Sequence, residues 1–338
     1  MTGTHAALRL FTTCPQSRGD LSPDYVASVI EAARWSDEAG CEGMLVYTDH
    51  GIVDPWLVSQ IILQNTKTLC PLIAVQPLYM HPYTAAKMVA TYAYLHRRRI
   101  YLNMLAGGFK NDLAAMGDTT PHDDRYLRTT EYTLIVRKLL ESPGPVTFEG
   151  KYYTIRNCRM TPPLDPALFP GILISGSSPA GVEAARAIGG VAIKYPKPPD
   201  EEQETPTEAG VECGFRVGII ARDDDEEAWR VALKRFPEDR KGQITQQLAM
   251  KVTDSHWHKQ LAARDATADY ASTYWLGPFH NYSTFCPYLV GSHARVAQEL
   301  AGYLAAGFRT LVLDIPPAEE DLRHTVRALD LARAGAGL

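Results

Sequence analysis

None of the six cysteines (Cys14, Cys41, Cys70, Cys158, Cys213 and Cys286) stands in a C-x-x-C pair. Their wide spacing excludes a zinc ribbon and a dense disulfide framework, and they read as reduced, mostly buried thiols. No G-x-G-x-x-G opens a βαβ unit, so the nicotinamide-dinucleotide fingerprint is missing. No serine is framed as G-x-S-x-G. Gly176-Ser177-Ser178-Pro179-Ala180 lacks the second glycine, and Pro179 suits a helix start better than a nucleophile elbow, which argues against hydrolase chemistry. The pair His256-x-His258 has no carboxylate or cysteine at ligand spacing, so no metal site is expected. No apolar run approaches membrane-spanning length, and Met1 to Asp20 lacks a basic start and a sustained apolar core; the expectation is a cytoplasmic protein without membrane contact. A formal net charge of -5 gives no basic footprint for nucleic acid and leaves a small molecule as the expected partner.

What is present is a rhythm. Short apolar runs at Leu8–Phe11, Gly43–Thr48, Cys70–Val75, Ile100–Leu105, Ile172–Ser175, Val191–Tyr195, Phe215–Ala221 and Thr310–Leu313 read as strands, and amphipathic helical patterns separate most of them. Eight such strands within 338 residues favour a (β/α)8 TIM barrel over an open doubly wound sheet. Three stretches interrupt the pattern. Residues 142–170 hold a hairpin turning at Glu149-Gly150-Lys151, residues 196–213 are rich in Pro and Glu where a sixth helix is due, and residues 236–290 are long and irregular. The expectation is one domain over 1–338 with these insertions, the last acting as a lid and the sixth helix lost.

Barrel chemistry gathers at the carboxyl ends of the strands. There the chain offers Asp49 and His50, Gln76, Asn103 to Gly108, Ser175 to Ser178, Lys194 with Tyr195, and Arg216. Ser175-Gly176-Ser177-Ser178 runs into an Ala-rich helical pattern, placing hydroxyls and free backbone N–H groups where a phosphate would sit. Gly107 permits close backbone approach to a ligand or simply a tight turn, and Asn103 offers an amide to a polar ring edge. His50 is suited to acid–base work, or to bonding a neighbour. Lys194 and Arg216 suit an anionic group, or an ion pair inside the barrel.

The motifs in their order resemble the luciferase-like flavin-dependent monooxygenases, and within them alkanesulfonate monooxygenase most. They are Asp54-Pro55-Trp56-Leu57-Val58, His81-Pro82 with Ala85-Ala86, Asn103-Met104-Leu105-Ala106-Gly107, His122-Asp123-Asp124-Arg125-Tyr126, Phe148-Glu149-Gly150-Lys151, Pro162-Pro163, Ser175-Gly176-Ser177-Ser178, Asp224-Asp225-Glu226-Glu227-Ala228-Trp229 and Leu289-Val290-Gly291. The resemblance implies reduced FMN bound at the barrel mouth. Tyr126, Ser177 and Ser178 would meet its phosphate with His122 nearby, and Asn103 and Gln76 would border its ring. It also implies O2 as co-substrate, a C4a-peroxide as oxygenating species, a separate NAD(P)H:flavin reductase, and a homodimer or homotetramer. The absent nicotinamide fingerprint agrees with such a two-component system. Where alkanesulfonate monooxygenase carries a cysteine, a histidine and a lid arginine, this chain has Ile52, Gly218 and a position near Tyr282. These departures argue against a simple alkanesulfonate and leave Lys194, Tyr195, Arg216, His280 and Tyr282 as a differently composed pocket, with His50, Arg216, Lys194 and Tyr282 as the catalytic candidates.

The expectation is therefore a monooxygenase of a small organic molecule, in specialised metabolism. Two alternatives stand beside it: an F420-dependent hydride-transfer oxidoreductase, since such enzymes share the barrel and often an Asp-His pair like Asp49-His50, and a non-catalytic flavin-binding barrel.

Overall fold

The computed structural model describes residues 8–17, 23–176, 178–202, 210–253, 256–264 and 270–336. In chain order its elements are β1 (Arg9–Thr13), α1 (Tyr25–Glu38), β2 (Gly43–Val46), α2 (Pro55–Asn65), β3 (Cys70–Val75), α3 (Pro82–His96), β4 (Tyr101–Leu105), α4 (Lys110–Ala115), α5 (His122–Glu141), β5 (Val146–Glu149), β6 (Thr154–Cys158), β7 (Gly171–Ser175), α6 (Pro179–Ile188) and β8 (Val191–Lys194). There follow β9 (Cys213–Arg222), α7 (Asp225–Arg235), α8 (Arg240–Val252), α9 (His256–Ala262), β10 (Tyr274–Trp275), α10 (Gly277–His280), β11 (Tyr288–Ser292), α11 (His293–Ala305), β12 (Thr310–Leu313) and α12 (Glu319–Ala336). The strands β1-β2-β3-β4-β7-β8-β9-β12, in that order, make the closed parallel barrel of the (β/α)8 fold. Every run read as a strand from its apolar residues is one of these eight.

By their internal contacts the residues fall into two compact units, one of 14–37 and 42–192, the other of 1–13, 38–41 and 193–338. In the first, β2, β3, β4 and β7 pair in parallel with registers such as Ala74↔Asn103 and Leu105↔Ser175, which bring the carboxyl ends of β3, β4 and β7 level. Their side chains are buried on both faces, as unbroken apolar runs require. Several motif residues prove to be helix starts. The Asp54 carboxylate accepts from the Trp56 and Leu57 N–H groups with Pro55 at the first helical position, and the His81 Nδ1 accepts from the Tyr83 N–H with Pro82 behind it. The expected hairpin is there as β5 and β6, and Glu131 of α5 holds its turn by accepting from the N–H groups of Lys151, Tyr152 and Tyr153. A side chain at Gly150 would overlap the Glu131 carboxylate, which is why the turn needs glycine there.

In the second unit β9 is ten residues long. Its lower half pairs with β12, and its upper half pairs with β11, which carries β10 antiparallel on its outer edge. The stretch 236–290 is thus more regular than its sequence suggests: its described residues hold three helices and two strands. Helix signals there are muted by Gly242 inside α8 and by Pro278 in a helix of one turn. Between β8 and β9, by contrast, the described residues contain only a 3₁₀ turn at Pro199–Glu201, in keeping with the loss of the sixth helix. That turn is fastened to α11: a side chain at Gly302 would overlap Pro199, and the Tyr303 hydroxyl donates to the Lys197 carbonyl. All six cysteines are free thiols, and no helix among the described residues is long and apolar enough to cross a membrane.

Candidate active site

The Ser-Gly-Ser-Ser stretch lies, as its sequence implies, between β7 and α6 in the first unit. Pro179 opens α6, and the Ser178 hydroxyl caps it by accepting from the Gly181 N–H at 3.2 Å. The Tyr126 hydroxyl of α5 reaches the same turn, 3.4 Å from the Ser175 carbonyl and with Ser178 as hydrogen-bonding neighbour. A Cβ at Gly176 would overlap that hydroxyl, and one at Gly181 would press on the Gly176 carbonyl. Both glycines are therefore demanded by close approach. Burial of Tyr126 raises its pKa, so the group is a neutral hydroxyl able to donate. His122 packs edge-on against Tyr126 at 5.2 Å and places its Nδ1 2.7 Å from Asp123. Ser177 lies outside the described residues.

Of the other residues assigned to cofactor binding, Asn103 joins this turn directly. The Ser175 hydroxyl donates to the Asn103 Oδ1 at 3.0 Å, with Asn103 buried in the middle of β4. Gly107, at φ +91, has the Gln76 amide beside it, so that a Cβ there would lie 3.4 Å from the Gln76 Nε2. Gln76 is buried, and its carbonyl accepts from the Tyr79 N–H in the turn after β3. His50 stands 5.7 Å from the Tyr79 ring, with its Nδ1 3.9 Å from Asp112 of α4. Asp49 does not orient His50. It accepts from the Gly51 N–H at 2.6 Å and closes the local turn, as adjacent residues with opposed side-chain directions would predict. Tyr79 and Asp112 went unnoticed in the sequence because neither sits directly after an apolar run.

In the second unit the strand ends hold a different cluster, organised by Asp314. It directly follows β12 and is enclosed by donors: Arg216 Nη2 at 2.9 Å, the Thr284 hydroxyl at 2.6 Å and the Tyr288 hydroxyl at 2.8 Å. The ion pair is nearly closed to solvent, with 9% and 10% of the two side chains exposed. Of the two roles open to Arg216, the structure shows the ion pair. Lys194 is also paired, with Glu202, and its ammonium lies 4.9 Å from the centre of the Phe308 ring. Tyr282 adopts φ +56 and meets Phe285 edge-on. Gly218, the position at which the resemblance to alkanesulfonate monooxygenase implies a histidine, is filled by the Tyr288 ring, which a side chain there would overlap. Asp314, Thr284 and Tyr288 are absent from the expected site. Asp314 was discoverable, since it is the residue after the eighth strand.

His258 of α9 is sandwiched between Tyr195 and Phe285, both rings stacked on it, at 5.8 and 5.6 Å. Burial, aided by the Arg216 charge, pushes its pKa down to about 4, so the imidazole is neutral near pH 7. Because the unfolded chain has an ordinary histidine near pH 6.5, it binds the extra proton first, and stability falls as pH drops below about 6.5. At pH 5 the expected loss from this group is roughly 2 kcal/mol relative to pH 7.5. Urea titrations at both pH values check this; in a His258→Phe variant the difference should shrink by that amount.

A model of the luciferase-like monooxygenases matches residues 8–310. The chain belongs to the luciferase-like monooxygenase family. This luciferase-like monooxygenase is 36% identical over 311 residues to the 4-(gamma-L-glutamylamino)butanoyl-acyl-carrier-protein monooxygenase BtrO of Niallia circulans, covering 90% of this chain and 91% of that protein. Among solved structures it is similar to the long-chain alkane monooxygenase LadA, with a TM-score of 0.74 and 15% identity over 97% of this chain and 92% of that one. EDTA monooxygenase EmoA from Chelativorans sp. BNC1 gives 0.72 and 15% over 98% and 95%. An F420-dependent secondary alcohol dehydrogenase gives 0.65 and 18% over 97% and 99%, so the barrel by itself does not select the cofactor.

Proposed function

We propose that this luciferase-like monooxygenase uses reduced FMN, supplied by a separate NAD(P)H:flavin reductase, and O2 to oxygenate a small acyl group presented on a carrier protein in the cytoplasm. The observation that carries the FMN reading is the cradle at the start of α6. Gly176 and Gly181 leave room that any Cβ would fill, and Tyr126 and Ser178 bring neutral hydroxyls to a helix N-terminus. A phosphate fits this donor set. Asn103 and Gln76 would meet the polar edge of the ring, with Gly107 allowing its approach and His122 bordering the phosphate. Reduced FMN when bound activates O2 for transfer of one oxygen atom.

The chain's own task is to hold the substrate and exclude water, because stray protons and solvent divert such chemistry. His50, with Asp112 3.9 Å from its Nδ1, is assigned the proton transfer. Arg216, held by Asp314, presents a fixed positive charge for oxygen that gains charge during the reaction, and Tyr282 borders the substrate. Lys194 has a different occupation, for its ion pair with Glu202 bolts the segment after β8 in place. The segment 236–290 acts as the cover. The acyl-carrier reading comes from the relative BtrO, and the missing nicotinamide fingerprint supports a partner reductase.

The test is O2 consumption by the purified protein with FMN, NADH and a flavin reductase, using acyl-carrier-protein and pantetheine thioesters of 4-(gamma-L-glutamylamino)butanoate and related acids. Oxygenated product that disappears under anaerobic conditions is expected. Turnover without O2, or with F420 in place of FMN, overturns the reading; flavin binding without any oxygenation would leave a non-catalytic barrel.

A further inference from the structure

Helix α8 presents a cationic and aliphatic outer face. Arg240, Lys241 and Lys251 are exposed along it, the helix contains no acidic residue, and the whole chain carries -5. Between the cations lie two exposed aliphatic side chains, Ile244 at 52% and Leu248 at 57%. Lys241, Ile244, Leu248 and Lys251 follow one another at intervals of three, four and three, which puts them on a single stripe of the helix. In sequence the nearest acids are Glu238 and Asp239 before the helix and Asp254 after it, and the Asp239 carboxylate is used to cap the helix at the Lys241 N–H.

The opposite face explains where the stripe stands. A side chain at Gly242 would overlap the Asn281 carbonyl, and the Gln243 amide donates to the Asn281 Oδ1 at 3.2 Å. Asn281 in turn donates to the Pro237 carbonyl at 2.9 Å. Three residues further on, Thr284 donates to Asp314 at the carboxyl end of β12. Helix α8 is therefore seated beside the strand ends where the Arg216–Asp314 pair lies, with its cationic, aliphatic face turned outward.

We infer that the Lys241–Ile244–Leu248–Lys251 stripe of α8 is the docking face for the carrier protein, met by an acidic amphipathic helix beside its phosphopantetheine attachment point. This inference rests on the carrier-bound substrate proposed above. Charge complementarity selects the partner. Cations flanking two aliphatic residues fit a helix with acidic flanks and an apolar centre, and the electrostatic part sets encounter rate and specificity more than affinity. A second copy of this chain is a poorer match, since both partners would bring the same positive stripe.

The experiment places the photo-crosslinking residue p-benzoylphenylalanine at position 244 or 248 of the full-length protein in its native cells, with Tyr94, an exposed residue of α3, as control position. A mass-spectrometric adduct with a phosphopantetheine-bearing protein at 244 and 248 but not at 94 is expected. The captured carrier, purified in its phosphopantetheinyl form, should bind the Lys241→Glu/Lys251→Glu variant about tenfold more weakly than the unmodified protein. In that variant, kcat/KM should fall about tenfold further for the acyl group on the carrier than for the same group on pantetheine; equal falls for both overturn the docking face. An adduct between two copies of this chain, a lipid adduct, no adduct on α8, or equal labelling at 94 overturns the inference. A carrier captured at 94 alone would refute the docking face while leaving the carrier-bound substrate intact. Turnover of free acids with no carrier captured at any position would refute both.

Discussion

The Asp314→Ala variant is expected to lose about 3–5 kcal/mol of folding stability, the range for removing one partner of a buried ion pair. Its carboxylate receives Arg216 on one oxygen and both Thr284 and Tyr288 on the other, in surroundings that exclude water. Deleting it takes a shared acceptor away from the Arg216 guanidinium and from the Thr284 and Tyr288 hydroxyls, and losing a buried acceptor costs more than the bond it formerly made. The double change Asp314→Leu/Arg216→Met removes both charges and should recover most of the loss. Urea unfolding of the two variants checks the argument, and equal destabilisation by single and double changes would show that charge pairing is not what Asp314 provides. Oxygenation should be lost in both, since Arg216 is either misplaced or gone.

Changing Tyr126→Phe together with Ser178→Ala should weaken FMN binding by roughly 1–3 kcal/mol, as hydrogen bonds to a charged group are worth. Ser178 also caps α6, so its loss costs about 0.5–2 kcal/mol of stability in addition. Tyr126→Phe alone keeps the cap and separates the two effects. Riboflavin, which lacks the phosphate, is the control ligand: its affinity should hardly change while that of FMN falls. Parallel losses for FMN and riboflavin in a calorimetric titration would mean that the turn between β7 and α6 does not receive the phosphate.

The barrel was readable because each of its strands is a separate apolar run buried on both faces, a signal that survives without any knowledge of partners. The turn from Ser175 to Ser178 was readable because proline at a helix start and serine at its cap are local rules. What escaped depended on residues far apart in the chain. Arg216 and Asp314 are separated by 98 positions, so the partner that holds Arg216 could not be named from the sequence. Likewise nothing near Gly150 foretells Glu131, nor does Gly218 foretell the ring that fills its missing side chain. The segment holding β10, α10 and β11 escaped for a simpler reason, because elements of two, four and five residues fall below the length at which periodicity can be counted. Asp54, His81 and Asp224 teach the converse lesson: conspicuous motif residues here begin helices.

The fit of Tyr288 against Gly218 binds two positions into one heritable choice. A protein descended from this one cannot acquire a side chain at 218 unless residue 288 first becomes smaller, and a smaller residue there surrenders a hydroxyl that holds Asp314. Placing at 218 the histidine that the resemblance to alkanesulfonate monooxygenase implies would thus require passing through an intermediate with a weakened anchor. Changes at 218 and 288 are coupled through the Asp314 anchor, and specificity on this scaffold should move by paired substitutions.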